Sequence, residues 1–293
     1  MRGRIASHSE REREFLKIID GLCYTRQKWE VWADLITMMA CALANATEYR
    51  EKVRNRREKE YQDCLDRIGS VDVAARAFSL IVEEMEVNPD QDLLGDLYMR
   101  LELGSHWHGQ FFTPYNICRM CVEIMIPEEK TVAEIERKGW LSVCDPSIGG
   151  GAMLIAAVNQ LKRMGVNYQQ QALFVGQDID RIVGMMAYIQ LSILGCPGYI
   201  VIADTLTNPI CGDTLMPAEK EGQEFWYTPF YFADTWEYRR RVRMMDRFID
   251  KIKPVPAEPK PLMSRFTFFF DFKEEEDGRT EEQPAACRGE IAG

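Results

Sequence analysis

Three acidic residues each close a short apolar run. Asp145 ends Leu141-Ser142-Val143-Cys144-Asp145, Asp178 ends Ala172-Leu173-Phe174-Val175-Gly176-Gln177-Asp178, and Asp204 ends Gly198-Tyr199-Ile200-Val201-Ile202-Ala203-Asp204. Runs of this length, bounded by turn residues, read as buried strands. An acid after such a strand presents a carboxylate at the sheet edge. After Asp145 comes Pro146-Ser147-Ile148-Gly149-Gly150-Gly151 and then a helical pattern. Glycines clustered between strand and helix let the backbone approach a ligand, and the helix start offers unpaired N–H groups to it. The turn lacks the Lys-Ser/Thr pair of a phosphate loop. It is not a clean G-x-G-x-x-G either, since Met153 and Leu154 follow Gly151. The pattern points to a nucleoside-type ligand. Asp145 is placed to take up an ammonium or hydroxyl, Asp178 to accept from two ribose hydroxyls, Ile179 to pack on a base, and Asp204 to accept from the exocyclic amine of an adenine. The plainer alternatives are an ordinary tight turn at the glycines and helix capping by Asp178 or Asp180. Asp180 is expected to be such a cap.

Two helical stretches, 151–165 and 180–195, separate the three runs. Strand, helix, strand, helix, strand is the order of a parallel sheet with crossover helices, so the fold class is α/β. Residues 1–100 carry apolar residues at helical spacing, as in 27–47 and 74–87. They contain almost no Gly or Pro before Asn88-Pro89, which predicts a helical N-terminal region. Residues 101–253 form the ligand-binding domain. From 254 the chain turns to a Pro-rich linker, then Arg265-Phe266-Thr267-Phe268-Phe269-Phe270-Asp271-Phe272, a possible strand, then an acidic tail expected to be disordered.

Composition bounds the function. A hydrophobic share of 46% is enough for a real core, and no apolar run is long enough to span a bilayer. Nine irregularly spaced cysteines, with no signal peptide before them, predict a reducing cytoplasm rather than a disulfide scaffold. The formal charge of −10 argues against a generic polyanion binder. Basic residues are nonetheless concentrated in 50–59 and in Arg239, Arg240, Arg241, Arg243, Arg247, Lys251 and Lys253. Acids at helical spacing within each run make a salt-bridged face the plain reading, and a phosphate-contacting face the sharper one. Cys118-x-x-Cys121, with His106 and His108 upstream, reads as core-facing helix rather than a metal site. Trp29 and Trp32 read as helical core or interface.

In motif content and order the sequence resembles the N6-adenine DNA methyltransferases, in particular the modification subunits of type I restriction systems. His108-Gly109-Gln110-Phe111-Phe112-Thr113-Pro114 resembles the family's G-Q-[FY]-[FY]-T-P. Asp145-Pro146-Ser147-Ile148-Gly149-Gly150-Gly151 resembles its D-P-A-C-G-S-G, with Ser147, Ile148 and Gly150 departing mildly. Gly176-Gln177-Asp178-Ile179-Asp180 resembles its G-Q-[DE]-x-[DN], and Asp204-Thr205-Leu206 follows in the same order. The resemblance covers roughly 92–206. It implies a Rossmann-like S-adenosylmethionine-dependent methyltransferase domain with S-adenosyl-L-methionine as cofactor. Gln110, Phe111, Phe112 and Thr113 would serve its methionine end, and Asp145, Pro146, Gly149 and Gly151 would hold the methionine moiety. Asp178 would bind the ribose, Ile179 and Asp204 the adenine. Thr113 is also expected to cap a helix that opens with Pro114.

The match breaks at the acceptor motif. Active members carry [NDS]-P-P-[YFW] after a fourth strand, which accepts the amine hydrogens of a flipped adenine and stacks on the base. This chain has no such tetrapeptide. Thr228-Pro229-Phe230-Tyr231, after Phe225-Trp226-Tyr227, keeps one proline and the aromatic residue and is taken as the degenerate catalytic motif. Asn208-Pro209 is the alternative, although it follows the third strand at once. The resemblance implies adenine-N6 methylation of DNA, with a specificity subunit or second methyltransferase subunit as further partner and no membrane. The departure supports another reading, a catalytically inactive cofactor-binding relative acting as a partner subunit on DNA. Methylation of a substrate other than DNA is a third.

Overall fold

The computed structural model describes residues 9–103 and 112–252; Gln110, Phe111, the stretch 265–272 and the acidic tail lie outside them. Five helices come first: α1 (Glu10–Leu22), α2 (Lys28–Asn45), α3 (Glu51–Ile68), α4 (Val71–Val87) and α5 (Leu93–Arg100). Their starts are written in the sequence. Ser9, Ser70 and Asp92 each accept a backbone N–H of the first turn of α1, α4 and α5. Helix α2 is apolar on nearly every side, burying Val31, Trp32, Leu35, Ile36, Met38 and Met39, so it runs through the middle of the helical region. Trp32 is fully buried against Phe15 and Tyr98, and Trp29 packs on Tyr98.

After α6 (Tyr115–Met125) and α7 (Glu128–Lys138) the chain alternates: β1 (Leu141–Asp145), α8 (Ala152–Arg163), a short α9 (Tyr168–Gln171), β2 (Ala172–Asp178), α10 (Arg181–Ile193) and β3 (Gly198–Ile202). The three strands are parallel and in the order β1-β2-β3, with Asp145 opposite Gly176 and Asp178 opposite Ile202. Both crossover helices bury their apolar sides on one face of this sheet, with Val143, Phe174, Ile200 and Ile202. The architecture is therefore α/β and Rossmann-like, as the alternation of patterns predicts. That same cluster runs without a break into Phe15, Trp32 and Leu80 of the helical region, so the two parts share one core.

After β3 the chain makes a small hairpin, β4 (Cys211–Asp213) with β5 (Met216–Ala218). It then adds β6 (Glu224–Tyr227) antiparallel to β3 on its outer edge. The second face of the sheet, with Leu173, Val175, Tyr199 and Val201, is covered by Ile210, Leu215, Tyr231 and Trp236, the last on α11 (Asp234–Ile252). Among the described residues no helix is long and apolar enough to cross a membrane.

One buried arginine fastens the helical region to the sheet. Arg57 of α3 is buried, and donates to the Glu48 carboxylate at 3.2 Å and to the Phe225 carbonyl at 2.8 Å. Its guanidinium lies 4.3 Å from the centre of the Trp226 ring. Removing Arg57 leaves the Phe225 carbonyl without this donor, while Glu48 keeps its pair with Arg50. Arg57→Met is therefore expected to lower stability by about 1–3 kcal/mol, read from the urea midpoint. A loss below about 0.5 kcal/mol would show that Arg57 does not fasten the two parts.

Candidate functional site

The parallel register brings the ends of β1, β2 and β3 to one edge, and with them Asp145, Asp178 and Asp204. Each carboxylate is held by backbone N–H groups. Asp145 accepts from Ser147 at 3.0 Å, Asp178 from Gly149 and Asp180 at 2.9 Å each, and Asp204 from Leu206 at 2.8 Å. Asp180 caps α10, accepting from Ile182 and Val183. Burial pushes the Asp145 carboxyl up to about 6; the Ser147 N–H opposes this and the nearby Asp178 charge adds to it. Burial likewise raises Asp178, against the N–H groups of Asp180 and Gly149. Asp204 is held below the usual carboxylate range by the N–H of Leu206 and by Thr207. Among the described residues no Lys or Arg pairs with any of the three; the ion pairs lie elsewhere.

The glycine turn fits between these acids. Gly149 and Gly151 have φ of +56° and +101°, a region that side chains disfavour. A Cβ on Gly151 would meet Ala187 of α10 at 3.3 Å. Gly151 stands at the start of α8 without a side-chain cap, which leaves that helix start to a ligand or solvent. Phe112 lies over the turn, so that a Cβ on Gly149 would touch its ring at 3.4 Å, and it packs on Tyr98 at 5.2 Å. The upstream motif thus reaches the turn through Phe112. Thr113 follows it and is exposed, but it is not the cap of α6. Pro114 occupies that position and no side chain caps the helix, so the helix starts one residue later than expected. Ile179 and Leu206 stand beside the acids with 67% and 90% of their surface exposed, two aliphatic ledges at the same edge. The Leu206 ledge was not anticipated.

Two glutamines not anticipated as site residues fix the edge from behind. Gln190 of α10, fully buried, donates to Asp92 at 2.8 Å and to the Gly150 carbonyl at 2.8 Å, and accepts from the Leu94 N–H at 3.0 Å. It ties the glycine turn to the start of α5. Burial raises the Asp92 carboxyl, opposed by the Gln190 and Gly95 donors. Gln177 of β2 donates to the carbonyls of Ala203 and Asn208 and accepts from the Ile210 N–H, holding the loop after β3 in place. A lone amide within an apolar helix or strand is the sequence signal for both.

The structure does not bring Thr228-Pro229-Phe230-Tyr231 to this edge. Because β6 runs antiparallel, its far end lies at the start of β3, the opposite end of the sheet. The Thr228 hydroxyl donates to the Cys196 carbonyl and accepts from the Gly198 N–H, and Tyr231 is buried with its hydroxyl on the Leu215 carbonyl. Pro229 and Phe230 lie in a single 3-10 turn beside them. These aromatic residues fill the second core, which corrects the expectation that they occupy the acceptor slot. Asn208-Pro209 lies in the loop that Gln177 holds, on the same side as the acids. The Asn208 amide N–H2 donates to the Glu221 carbonyl at 3.0 Å. Cys118 of α6 is buried and its thiol is pushed up to about 12, chiefly by burial; Cys121 is half-buried on the same helix. His106 and His108 lie outside the described residues.

The basic runs are largely engaged within the chain. Arg50 pairs with Glu48 and Glu219, and Arg56 with Glu224. Arg239 and Arg240 donate to backbone carbonyls, Arg241 pairs with Glu237, and Arg243 and Arg247 pair with Asp213.

Comparison with known proteins places the chain in a family. The model of the N-6 DNA Methylase family matches residues 89–279. The methylase subunit of the type I restriction enzyme MjaIX of Methanocaldococcus jannaschii is 28% identical over 120 residues, 39% of this chain and 19% of that protein. The chain thus spans about a fifth of the length of that curated relative. Among solved structures, it is similar to a class I S-adenosylmethionine-dependent methyltransferase described as putative, from Listeria monocytogenes. The TM-score is 0.39 and the identity 16%, over 83% of this chain and 80% of that one. It is also similar to a type I restriction-modification methyltransferase subunit from Streptococcus thermophilus, with a TM-score of 0.36 and 15% identity over 68% and 59% of the two chains.

The buried brace can be tested alone. Gln190→Leu leaves Asp92 and the Gly150 carbonyl without their donor, at an expected cost of about 1–3 kcal/mol. Urea denaturation measures it, and an unchanged midpoint would show that the glycine turn holds its shape without the brace.

Proposed function

The chain belongs to the N-6 DNA methylase family, and on that footing we propose that it binds S-adenosyl-L-methionine at the β1–β3 edge and serves methyl transfer to the N6 amine of adenine in DNA. The observation that carries this reading is the convergence of Asp145, Asp178 and Asp204 around the glycine turn, with no Lys or Arg of the described residues paired to them. A half-buried carboxylate with no cationic partner among the described residues suits an ammonium. Asp145 would hold the amino group of the methionine moiety, against the backbone of Pro146 and Gly149–Gly151. Asp178 uses one acceptor site on each oxygen for backbone N–H groups, which leaves others for two ribose hydroxyls. Ile179 would pack on the cofactor's adenine and Asp204 accept from its amine. Phe112 and Thr113, with Gln110 and Phe111, would close the methionine end. The bound cofactor supplies an electrophilic methyl on a sulfonium. The chain's part is to orient that group and exclude water from it. DNA is the proposed partner, with sequence recognition assigned to a specificity subunit or a second methyltransferase subunit.

A second reading, a cofactor-binding partner subunit that does not transfer methyl, is favoured by one observation: Thr228–Tyr231 lies at the end of the sheet away from the acids. Calorimetry with S-adenosylmethionine, paired with labelled-methyl transfer to adenine-rich duplex DNA, separates the two. Binding with transfer supports the enzyme. Binding without transfer supports the partner subunit. No binding removes both.

Two outcomes are expected for the site itself. Asp178→Ala should weaken S-adenosylmethionine binding by about 1–3 kcal/mol, and unchanged affinity in calorimetry would remove the ribose assignment. The Asp145 carboxyl, raised from 3.8 to about 6 in the folded chain, must ionise to hold an ammonium. Affinity should therefore rise by about tenfold per pH unit below that value and level off above it, with a proton released on binding. Asp145→Asn should bind weakly at every pH. In the free protein the sign is opposite: the stability linked to this raised carboxyl is full below 3.8 and lost as pH rises through about 6. A wild-type affinity that is flat from pH 5 to 8 would count against Asp145 as the ammonium partner.

A further inference from the structure

A thiol and an amine meet on the small hairpin, outside the strand-end acids. Lys220 Nζ donates to Cys211 Sγ at 2.8 Å. Cys211 is half-buried and Lys220 exposed, so solvent reaches both. Each also donates to the Pro209 carbonyl, at 3.4 Å. Among the described residues one other sulfur meets a cation: Arg67 donates to Cys64 at 3.1 Å. Cys64 is buried, and burial pushes its thiol up to about 12. Cys41, Cys118 and Cys196 are buried as well.

The hairpin fixes this contact. β4 and β5 pair with Cys211 opposite Ala218, and Lys220 stands two residues beyond. That is the diagonal position, which a long side chain can span. The turn between the strands is tied to the sheet, since the Tyr199 hydroxyl donates to the Thr214 carbonyl and the Tyr231 hydroxyl to the Leu215 carbonyl. The Ile210 N–H donates to Gln177 just before Cys211. On the other strand Glu219 pairs with Arg50, and the Lys220 N–H donates to Gln223 at 3.1 Å. Sulfur and nitrogen are thus brought together by fixed backbone on both sides.

We propose that Cys211 and Lys220 form a peroxide-sensitive modification site that closes into a sulfur–nitrogen cross-link. In the first step hydrogen peroxide oxidises the Cys211 thiol to a sulfenic acid. The O–O bond breaks, one oxygen stays on sulfur, and the other leaves as water. Sulfur gives up two electrons and the peroxide takes them. In the second step the Lys220 amine, having lost its extra proton to solvent, attacks that sulfur. The S–N bond forms, the S–O bond breaks, and the hydroxyl leaves as water with one hydrogen of the amine. No further oxidant is consumed. Sulfenic acids condense with a neighbouring backbone nitrogen in the same way, and here a side-chain nitrogen already rests on the sulfur. The product removes the thiol donor and the ammonium charge from the Pro209 carbonyl. Pro209 follows Asn208, whose N–H donates to the Asp204 carbonyl at 2.8 Å, so oxidation acts on the loop beside the acidic edge. Neither step depends on methyl transfer.

Peroxide treatment of the full chain, then cleavage between the two residues and mass spectrometry without reductant, tests the cross-link. The peptides holding Cys211 and Lys220 should emerge joined, lighter together by two hydrogens, and should separate on adding dithiothreitol. Lys220→Arg keeps a donor on the sulfur but offers no nitrogen that can lose its proton and attack. That variant should stop at the sulfenic acid, which dimedone then labels at Cys211. Equal dimedone labelling of Cys211 in the wild type and in Lys220→Arg overturns the proposal, because Lys220 then captures nothing. So does a Cys211 that stays a free thiol while Cys23 or Cys121 is oxidised. A disulfide from Cys211 to another cysteine, within the chain or between copies, overturns it too.

Discussion

The candidate site depends on how the glycine turn is tied to the end of β2. Ile148 donates to the Gln177 carbonyl and Gly149 to the Asp178 carboxylate, so the loop after β1 is bonded to the next strand along. Gly149 and Gly151 must then take left-handed conformations, and Gly151 must lie close against Ala187. Asp178 serves both purposes: it holds the turn through its backbone acceptor bonds and retains acceptor capacity at the edge. A side chain with this double duty cannot be exchanged without changing the shape of the turn as well as its chemistry.

The helical region is part of the machinery rather than an appendage. Gln190 reaches from α10 to Gly150 in the turn and to Asp92 at the start of α5, so a helix from the first hundred residues fixes a loop in the sheet domain. Tyr98 of α5 supports Phe112, which covers Gly149. Arg57 does the same at the far strand, through Trp226 and the Phe225 carbonyl. Low-dielectric surroundings make each of these polar contacts costly to leave half-made.

The sequence pattern predicts β1 and β2 residue for residue, because each apolar run has an abrupt polar end, and it predicts β3 to within its last two residues. Acids at strand ends were legible for the same reason. Direction was not. Phe225-Trp226-Tyr227 reads equally well as a strand on either edge and in either sense, since alternation encodes faces and not neighbours. Its antiparallel pairing with β3 is what removes Thr228–Tyr231 from the acids. The pairing of Gln190 with Asp92 was illegible for another reason: a lone amide marks the position, but its partners are a backbone carbonyl and a residue 98 positions away, which no local pattern records.

Charge shapes how nucleic acid can approach this chain. Binding to a duplex releases counterions in proportion to the phosphates that free cations contact. Here most guanidiniums of the two basic runs already face carboxylates or carbonyls of the same chain: Arg50, Arg56 and Arg57 on one side, Arg239–Arg243 and Arg247 on the other. Using them for phosphate would require breaking pairs that hold α3 and α11 in place. The edge itself is acidic, and repels a polyanion while it attracts a small cationic ligand. Within the proposed function these two facts divide the labour. On that reading the described part of the chain would hold the cofactor, and the affinity for the DNA backbone would come mainly from groups outside these basic runs, on a partner subunit or elsewhere on the chain.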